Sequence, residues 1–201
     1  MVEQEPFKLL AVGSIPTPLT IRPQSAVATL SAGLEHTLNP HLVRCLAIIV
    51  DATRGAGNEA RVRRDPAKWC VAEIVEHLTR AYSGTAKGLE RCLEKGAPLA
   101  NDTTFKQRVS QFVLINLGLF PEGRQAPKHI LPGGELDLTA LLQAVPRDLQ
   151  RLDDAAMRVK ATLGSGKMLD HPILGALTVD QWLRFHEVHT QHHAKQIRSR
   201  R

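Results

Sequence analysis

The segment from Asp65 to Lys95 constrains the fold more than any other part of this chain. Asp65 and Pro66 form a cap-and-proline pair that is typical of a helix start, and Gly96 and Pro98 close the segment. Between them, apolar residues recur close to the period of an amphipathic α-helix. They are Trp69, Val71, Ile74, Val75, Leu78, Tyr82, Ala86, Leu89 and Leu93. The sequence therefore predicts a long helix over residues 66–95, with one face buried.

Helical patterns also fill most of the remaining chain from Ser25 onward. A helix is expected over His41–Thr53, because Asn39 is a good N-cap and Pro40 suits a first turn. Further helices are predicted over residues 103–119 and 138–163, and from Thr178 to near the C-terminus. We find no convincing strand pattern and no internal repeat. The predicted fold class is all-α, with helices long enough to form a bundle.

The predicted organisation is an N-terminal arm over residues 1–24, followed by a helical-bundle domain over residues 25–201. The arm carries four prolines, which favour extended backbone over a helix. Two irregular connections interrupt the domain, one at residues 121–137 and one at residues 171–177. A connection as long as the first usually either crosses over a bundle or covers a site.

Charge and composition restrict the partners that this chain can have. Its 201 residues carry a formal net charge of +6, and aromatic residues make up 4%. Basic residues concentrate at positions 61–64 and 195–201, where a solvated linker and tail are the preferred interpretation. So few aromatic side chains, without a helix-turn-helix signature, argue against a nucleic-acid partner.

The cysteines and the N-terminal residues indicate in which cellular compartment the protein is expected. Cys45, Cys70 and Cys92 form no C-x-x-C pair and are odd in number, so a reducing compartment fits better than a disulfide framework. Pro16 and Pro18 interrupt the short apolar run near the N-terminus, which does not resemble a signal peptide. No apolar stretch approaches the ~20 residues needed to span a bilayer. We predict a cytoplasmic protein with no membrane partner.

Four histidines lie close together in the last predicted helix: His186, His189, His192 and His193. His189 and His193 are four residues apart, so they lie on one face, one turn from each other. Imidazoles so placed can converge on a divalent metal, as in the H-E-x-x-H zinc proteases, although no Glu follows His189. His186 shares this face, whereas His192 points about 100° away from His193. The spacing alone therefore leaves the ligand register open.

A metal site of this kind usually needs another ligand from elsewhere in the chain. His77 lies in the middle of the predicted helix 66–95, next to the apolar residues Ile74 and Leu78. Inward-facing histidines on different helices are the way in which bundles build metal sites. The alternative is a buried polar cluster without metal, in which each imidazole needs its own hydrogen-bond partner. Three histidine ligands would leave coordination positions open, which is typical of catalytic sites.

The motifs taken together resemble the DinB/YfiT-like superfamily. They are Trp69-Cys-Val-Ala-Glu-Ile-Val-Glu-His77-Leu78, then His171-Pro-Ile-Leu-Gly-Ala-Leu-Thr-x-x-Gln-Trp182, then His189-x-x-x-His193-x-x-Gln196. The match covers residues 66–201 and is closest to a bacterial branch of unknown function. It implies a four-helix bundle, with long connecting loops, that holds a divalent metal on three histidines. One histidine would come from the second helix and two from the last.

This resemblance implies specific ligands and cofactors. The metal would be bound by His77, His189 and His193. The side chains of Gln196 and His186 would contact these ligands without binding the metal, or would face the substrate. Imidazole ligands suit Zn, Ni, Cu or Fe, and do not select among them. We favour Zn or Ni, with Fe and Mn as alternatives, and a low-molecular-weight thiol as a second cofactor or substrate.

The resemblance also suggests a function, because characterised members of the superfamily include thiol-dependent transferases and isomerases. We therefore expect a metal-dependent, transferase-like enzyme of unassigned substrate that acts on a small molecule or thiol. A hydrolytic version would use Glu73 or Glu187 as a base, although both are expected at the surface. The alternative is a non-catalytic metal- or small-molecule-binding protein with a role in stress response. A homodimer is compatible with either function.

Overall fold

The computed structural model describes residues 38–120, 127, 130–134 and 137–201. The predicted arm over residues 1–24 lies outside these ranges, as does the helical pattern that begins at Ser25. Most of the predicted connection over residues 121–137 lies outside them too. The predicted division of the chain at residue 24 therefore stays a prediction.

The described part of the chain is mostly helical, as predicted. Its α-helices are α1 (Pro40–Thr53), α2 (Val71–Lys95), α3 (Phe105–Gln111), α4 (Leu138–Leu163) and α5 (Val179–Arg198). A short 3₁₀ turn, Asn58–Arg61, precedes α2. The bounds of α4 agree with the prediction, and so do the caps of α1 and α5. The side chain of Asn39 accepts a hydrogen bond from His41 N, and that of Thr178 accepts one from Gln181 N.

The start of α2 differs from the prediction of a helix from Pro66. Asp65 caps a separate turn instead, in which its carboxylate accepts a hydrogen bond from Ala67 N at 2.9 Å. The helix begins at Val71, because the side chain of Glu73 accepts a hydrogen bond from Cys70 N at 2.8 Å. Two capping signals thus lie within a few residues of each other, and the second one starts the helix.

A small antiparallel hairpin, β1 (Lys167–His171) and β2 (Gly175–Thr178), corrects the expectation of a chain without strands. Neither strand is long enough to show a repeated alternation of apolar and polar residues, so the sequence carries no strand signal here. Side chains hold the turn in place. His171 Nδ1 accepts hydrogen bonds from Ile173 N and Leu174 N, and Gln111 Nε2 donates to the carbonyls of Leu174 and Ala176. The predicted irregular connection at 171–177 is therefore an ordered hairpin.

The predicted helix over residues 103–119 is also shorter and less regular than expected. Regular α-helix ends at Gln111, and a five-residue π-helical turn, Phe112–Asn116, follows it. The π-turn directs Leu114 and Ile115 into a small apolar cluster with Trp182 and Phe185 of α5. This second cluster lies beside the main core and packs one side of α5.

Packing of α2 along α4, and of α1 along α5, forms the main core. Fully buried side chains of the core include Leu42, Ile49, Ile74, Leu78, Tyr82, Leu89, Leu149 and Leu152. The hydroxyl groups of Tyr82 and Thr190 lie 2.6 Å apart and join α2 to α5. The two helices that carry the predicted ligands are thus held together inside the core. Among the described residues, we find no helix that is both long and apolar enough to cross a membrane.

Candidate metal centre

Three of the predicted site histidines come together at the contact between α2 and α5. His189 Nε2 lies 3.3 Å from His77 Nε2 and 3.0 Å from His193 Nε2. One nitrogen of each ring lies within 4.8 Å of those of the other two. All three side chains are buried, with 2%, 8% and 7% exposure for His77, His189 and His193. These residues are placed to bind a metal ion, and we call them the histidine triad.

The sequence explains why the three rings meet. His189 and His193 are one turn apart on the buried face of α5, so their rings project to the same side. His77 lies on the face of α2 that packs there, in the interior between the helices. The ring of Trp69, just before α2, packs at a tilt against the His77 ring, with ring centres 5.0 Å apart.

Hydrogen bonds fix the protons of two triad rings. His77 Nδ1 lies 2.9 Å from the backbone carbonyl of Ile130, which can only accept, so Nδ1 carries the hydrogen. His193 Nδ1 donates in the same way to the side-chain oxygen of Gln196 at 2.9 Å. Both rings therefore direct the lone pair of Nε2 toward His189. This is the tautomer that histidine adopts when Nε2 binds a metal and an outer oxygen accepts from Nδ1.

The triad suits a cation better than it suits hydrogen bonding alone. Two Nε2 lone pairs face His189 Nε2, which can supply one hydrogen at most. His189 Nδ1 is buried as well, and no residue in the described part of the chain gives it a hydrogen-bond partner. Nitrogen ligands 2.0–2.1 Å from a tetrahedral zinc ion are ~3.3 Å apart by geometry. Two of the three separations, 3.0 and 3.3 Å, agree with an ion of this size, and all three nitrogens lie within 4.8 Å of one another.

Burial keeps the triad uncharged. It lowers the pKa of His77, and it lowers the pKa of His193 to about 3, with a further effect of the neighbouring His77. It also holds the pKa of His189 well below the ordinary value, where His193 and His77 add to the effect. Neutral imidazole is the form that binds metals, so these lone pairs are available at neutral pH.

Aromatic rings shield the triad from water. Phe185 stacks on His189 with ring centres 5.2 Å apart, and Phe120 stacks on the same ring from 5.8 Å. Phe120 also lies 4.8 Å from the ring of His192. No sequence signal marks Phe120, because nothing in its local pattern places the end of the predicted helix 103–119 against α5. None marks Ile130 either, since the group that contacts His77 is a backbone carbonyl.

The structure gives Gln196 and His186 different surroundings. Gln196 contacts the triad directly through His193, and its amide nitrogen lies 3.1 Å from His192 Nε2. His186 is fully buried, and its Nε2 lies 3.0 Å from the hydroxyl of Thr85 rather than on a triad ring. Burial lowers the pKa of His186 to about 3, so this ring is neutral too.

The two glutamates considered as hydrolytic bases are buried, which corrects the expectation of surface residues. Glu187 accepts from His41 at 2.5 Å and Arg44 at 2.9 Å, and pairs with Arg184 at 3.0 Å. Burial alone would raise the pKa of Glu187, but the hydrogen bonds from Arg44 and His41 lower it to about 2.

Glu73 is similarly engaged, because the Arg63 guanidinium binds both its oxygens and lowers its pKa. A carboxylate held by arginine in this way is a weak base, so neither Glu73 nor Glu187 is suited to general-base catalysis.

Comparison with known proteins gives a family for this chain but no described function. A family model described as "Protein of unknown function (DUF1569)" matches residues 56–200. The matched range contains the whole histidine triad, from His77 on α2 to His193 on α5. No curated protein matches the chain, and no solved structure does.

Proposed function

Because the chain belongs to the DUF1569 family, whose function is unknown, we propose a function from the geometry of its own site. The protein binds a divalent metal through His77, His189 and His193, and it is a metal-dependent enzyme of the thiol-dependent transferase type. The observation that carries the proposal is the convergence of three buried Nε2 atoms, two of which have their lone pairs fixed toward the third.

We also propose that the fold is a four-helix bundle of the DinB/YfiT-like type, made of α1, α2, α4 and α5. The packing of α2 along α4 and of α1 along α5 supports this architecture. So does the origin of the triad, with one histidine from an early helix and two from the last one. The hairpin and the π-turn would then be local elaborations at the edge of the bundle.

The donor set bears on the chemistry of the site. A divalent ion, when bound, acts as a Lewis acid and lowers the pKa of a thiol or water that coordinates to it. Zn and Ni are the preferred ions, with Fe and Mn as alternatives, because three imidazoles suit borderline metals. Phe120 and Phe185 would limit the access of bulk water, while the triad rings stay neutral and oriented.

A reacting thiol would have to come from a small molecule rather than from this chain. Cys45, Cys70 and Cys92 are the chain's three cysteines, and all three are buried. Burial raises the pKa of Cys45 to about 12 and also raises the pKa values of Cys70 and Cys92. Thiols in such surroundings are poor nucleophiles. This supports a low-molecular-weight thiol as the second component.

A second candidate function, a non-catalytic metal-binding protein, is favoured by the state of the buried carboxylates. Glu73, Glu76 and Glu187 are all held by arginine side chains. In the part of the chain that the structure describes, we find no buried glutamate near the triad that is left to act as a base. A thiol-dependent enzyme needs no such residue if the metal itself acidifies the thiol, whereas a hydrolase of the usual kind does.

Elemental mass spectrometry on tag-free protein tests the metal site, with His77→Ala and His189→Ala beside the wild type. His41→Ala is the matched control, because His41 lies on α1 and bonds to Glu187 instead of the triad. We expect about one equivalent of metal in the wild type and the control, and a loss of metal in both triad variants. Wild type that takes up neither Zn nor Ni on reconstitution would overturn the proposal.

The enzyme and the binding protein are then distinguished with the loaded wild type. Small thiols are offered together with electrophilic acceptors, and the consumption of thiol is followed. Consumption that depends on metal and is lost in His77→Ala supports the transferase. Stoichiometric metal without thiol binding or turnover would favour the non-catalytic protein.

A further inference from the structure

Glu76 immediately precedes the triad ligand His77 on α2, and its side chain has an unusual environment. Glu76 is only 4% exposed, although it is charged. A charge so buried needs several hydrogen bonds to offset the loss of water. Its partners are therefore informative about what it does.

Two of these partners are backbone amides of a short segment that crosses α2. Gly133 N donates to Oε1 and Gly134 N to Oε2, both at 2.9 Å. Arg80, one turn further along α2, adds two hydrogen bonds to Oε1, at 3.0 and 2.6 Å. Each oxygen of the carboxylate thus accepts a hydrogen bond from one of two consecutive amides of the segment, and Arg80 holds the carboxylate in place.

The same segment, Ile130–Gly134, provides the hydrogen-bond acceptor for His77. The carbonyl of Ile130 accepts from His77 Nδ1 at 2.9 Å, three residues before the amide that Glu76 binds. Adjacent residues of α2 therefore hold opposite ends of one short segment. Three residues of chain span at most ~11 Å, so we expect release of the Gly133–Gly134 end to displace the Ile130 carbonyl.

The two glycines of the segment favour this close approach, Gly134 through its backbone conformation and Gly133 through the limited space around it. Gly134 has φ +75°, a conformation that other residues rarely adopt. A Cβ on Gly133 would lie 3.0 Å from Arg80 Nη2 and 3.4 Å from Glu76 Oε1. The backbone conformation of the segment thus lets its amides reach the carboxylate of Glu76. An ion pair between Glu76 and Arg80 alone would not need glycines at these two positions.

We infer that Glu76 is a positioning residue for the metal centre. By holding Ile130–Gly134 against α2, it keeps the Ile130 carbonyl on His77 Nδ1 and so keeps the lone pair of Nε2 directed into the triad. The inference rests on the proposed metal site for its effect on affinity. Its effect on the His77 tautomer is independent of any metal.

Glu76→Gln tests the inference, because glutamine keeps the size of the side chain but replaces one oxygen by an NH₂ group. That group must face an amide of the segment or the guanidinium of Arg80, all of which are donors. Glu73→Gln is the matched control. Glu73 is also buried, on the same helix and paired with an arginine, but it caps α2 rather than holding the segment.

Two measurements separate a positioning role from a merely structural one. Zinc affinity is measured by competition with a chromophoric chelator, and the tautomer of His77 is read from ¹⁵N chemical shifts of metal-free protein. We expect Glu76→Gln to bind zinc about 10–100-fold more weakly, which is the usual effect of disturbing the hydrogen-bond partner of a metal ligand. Part of His77 should also shift its hydrogen to Nε2. Glu73→Gln should change neither, whatever it does to stability.

Gly134→Ala provides a second route if Glu76→Gln folds poorly. It disturbs the segment through its positive φ without altering any charge on α2, and it should change the affinity and the tautomer in the same direction. Unchanged affinity and an unchanged His77 tautomer in the folded variants would overturn the inference. Wild type that binds no metal would defeat the proposed function, while the tautomer measurement would still decide the role of Glu76.

Discussion

Replacing Glu187 by Gln should destabilise the protein, by an amount that depends on pH. Glu187 lies on α5, two residues before the triad residue His189, and it binds His41 and Arg44 of α1. Its side chain is 4% exposed, so the carboxylate joins the two helices inside a poorly hydrated contact. Removing its charge leaves the partly exposed guanidinium groups of Arg44 and Arg184 with a weaker, buried acceptor.

The pKa of Glu187 gives the size of the effect. Its folded pKa of about 2 lies below the ordinary value of 4.5, which corresponds to an upper limit of ~3 kcal/mol of stability at neutral pH. Arg44 and Arg184 are 48% and 37% exposed, so solvent screening reduces the expected loss to ~1–2 kcal/mol.

The sign of the pH dependence follows from the lowered pKa. Glu187 contributes its full stabilisation above about pH 4.5, the unfolded pKa, and loses it as the pH falls toward 2. The wild type and Glu187→Gln should therefore differ in free energy of unfolding by less than half as much at pH 3 as at pH 7.

Urea unfolding of metal-free protein at pH 7 and pH 3 measures this difference. Glu90→Gln is the control, because Glu90 pairs with Arg151 at the surface and should cost at most ~1 kcal/mol. If Glu187→Gln lowers the free energy of unfolding as much at pH 3 as at pH 7, packing and not the charge explains the loss.

Three further predictions concern the site and the helix contact. Gln196→Ala should weaken zinc binding ~10-fold, because His193 loses its acceptor at Nδ1; chelator competition measures it, and an unchanged affinity contradicts it. Zinc affinity should decline less from pH 7 to pH 5 than it would for three imidazoles of ordinary pKa 6.5, because burial lowers the folded pKa values of the triad; isothermal titration at both pH values checks it, and a decline as steep as that of exposed imidazoles would contradict it. Tyr82→Phe should lower the free energy of unfolding by ~1 kcal/mol, since the buried hydroxyl of Thr190 loses the hydrogen bond to Tyr82 and keeps only the one to the carbonyl of His186; urea unfolding at pH 7 tests this, and no loss would mean that the hydroxyl contact contributes nothing net.

Features carried by local residue types could be predicted from the sequence. Asn39 and Thr178 could be recognised as helix caps because the interaction involves neighbours only two or three residues away. The spacing of His189 and His193 placed their rings on one face for the same reason. The prediction of His77 as a ligand depends on more than local spacing, namely on the apolar pattern of its helix and the resemblance to a known superfamily.

Features that depend on distant contacts could not be predicted. The carbonyl of Ile130 binds a ring 53 positions away, and a carbonyl is present in every residue, so no sequence signal marks it. The hairpin is held partly by Gln111, which is distant in sequence from Leu174. The sequence predicts too early a start for α2 because Asp65 and Glu73 offer competing caps, and only the packed structure shows which one begins the helix.

The most direct test of the central claim is an anomalous difference map from crystals of the zinc- or nickel-loaded protein, collected at the absorption edge of the metal. We predict one peak bonded to Nε2 of His77, His189 and His193, at ~2.0–2.2 Å from each nitrogen. Nδ1 of His77 should remain on the carbonyl of Ile130. A metal bound elsewhere, or a triad that stays without metal in protein carrying a full equivalent, would contradict the account.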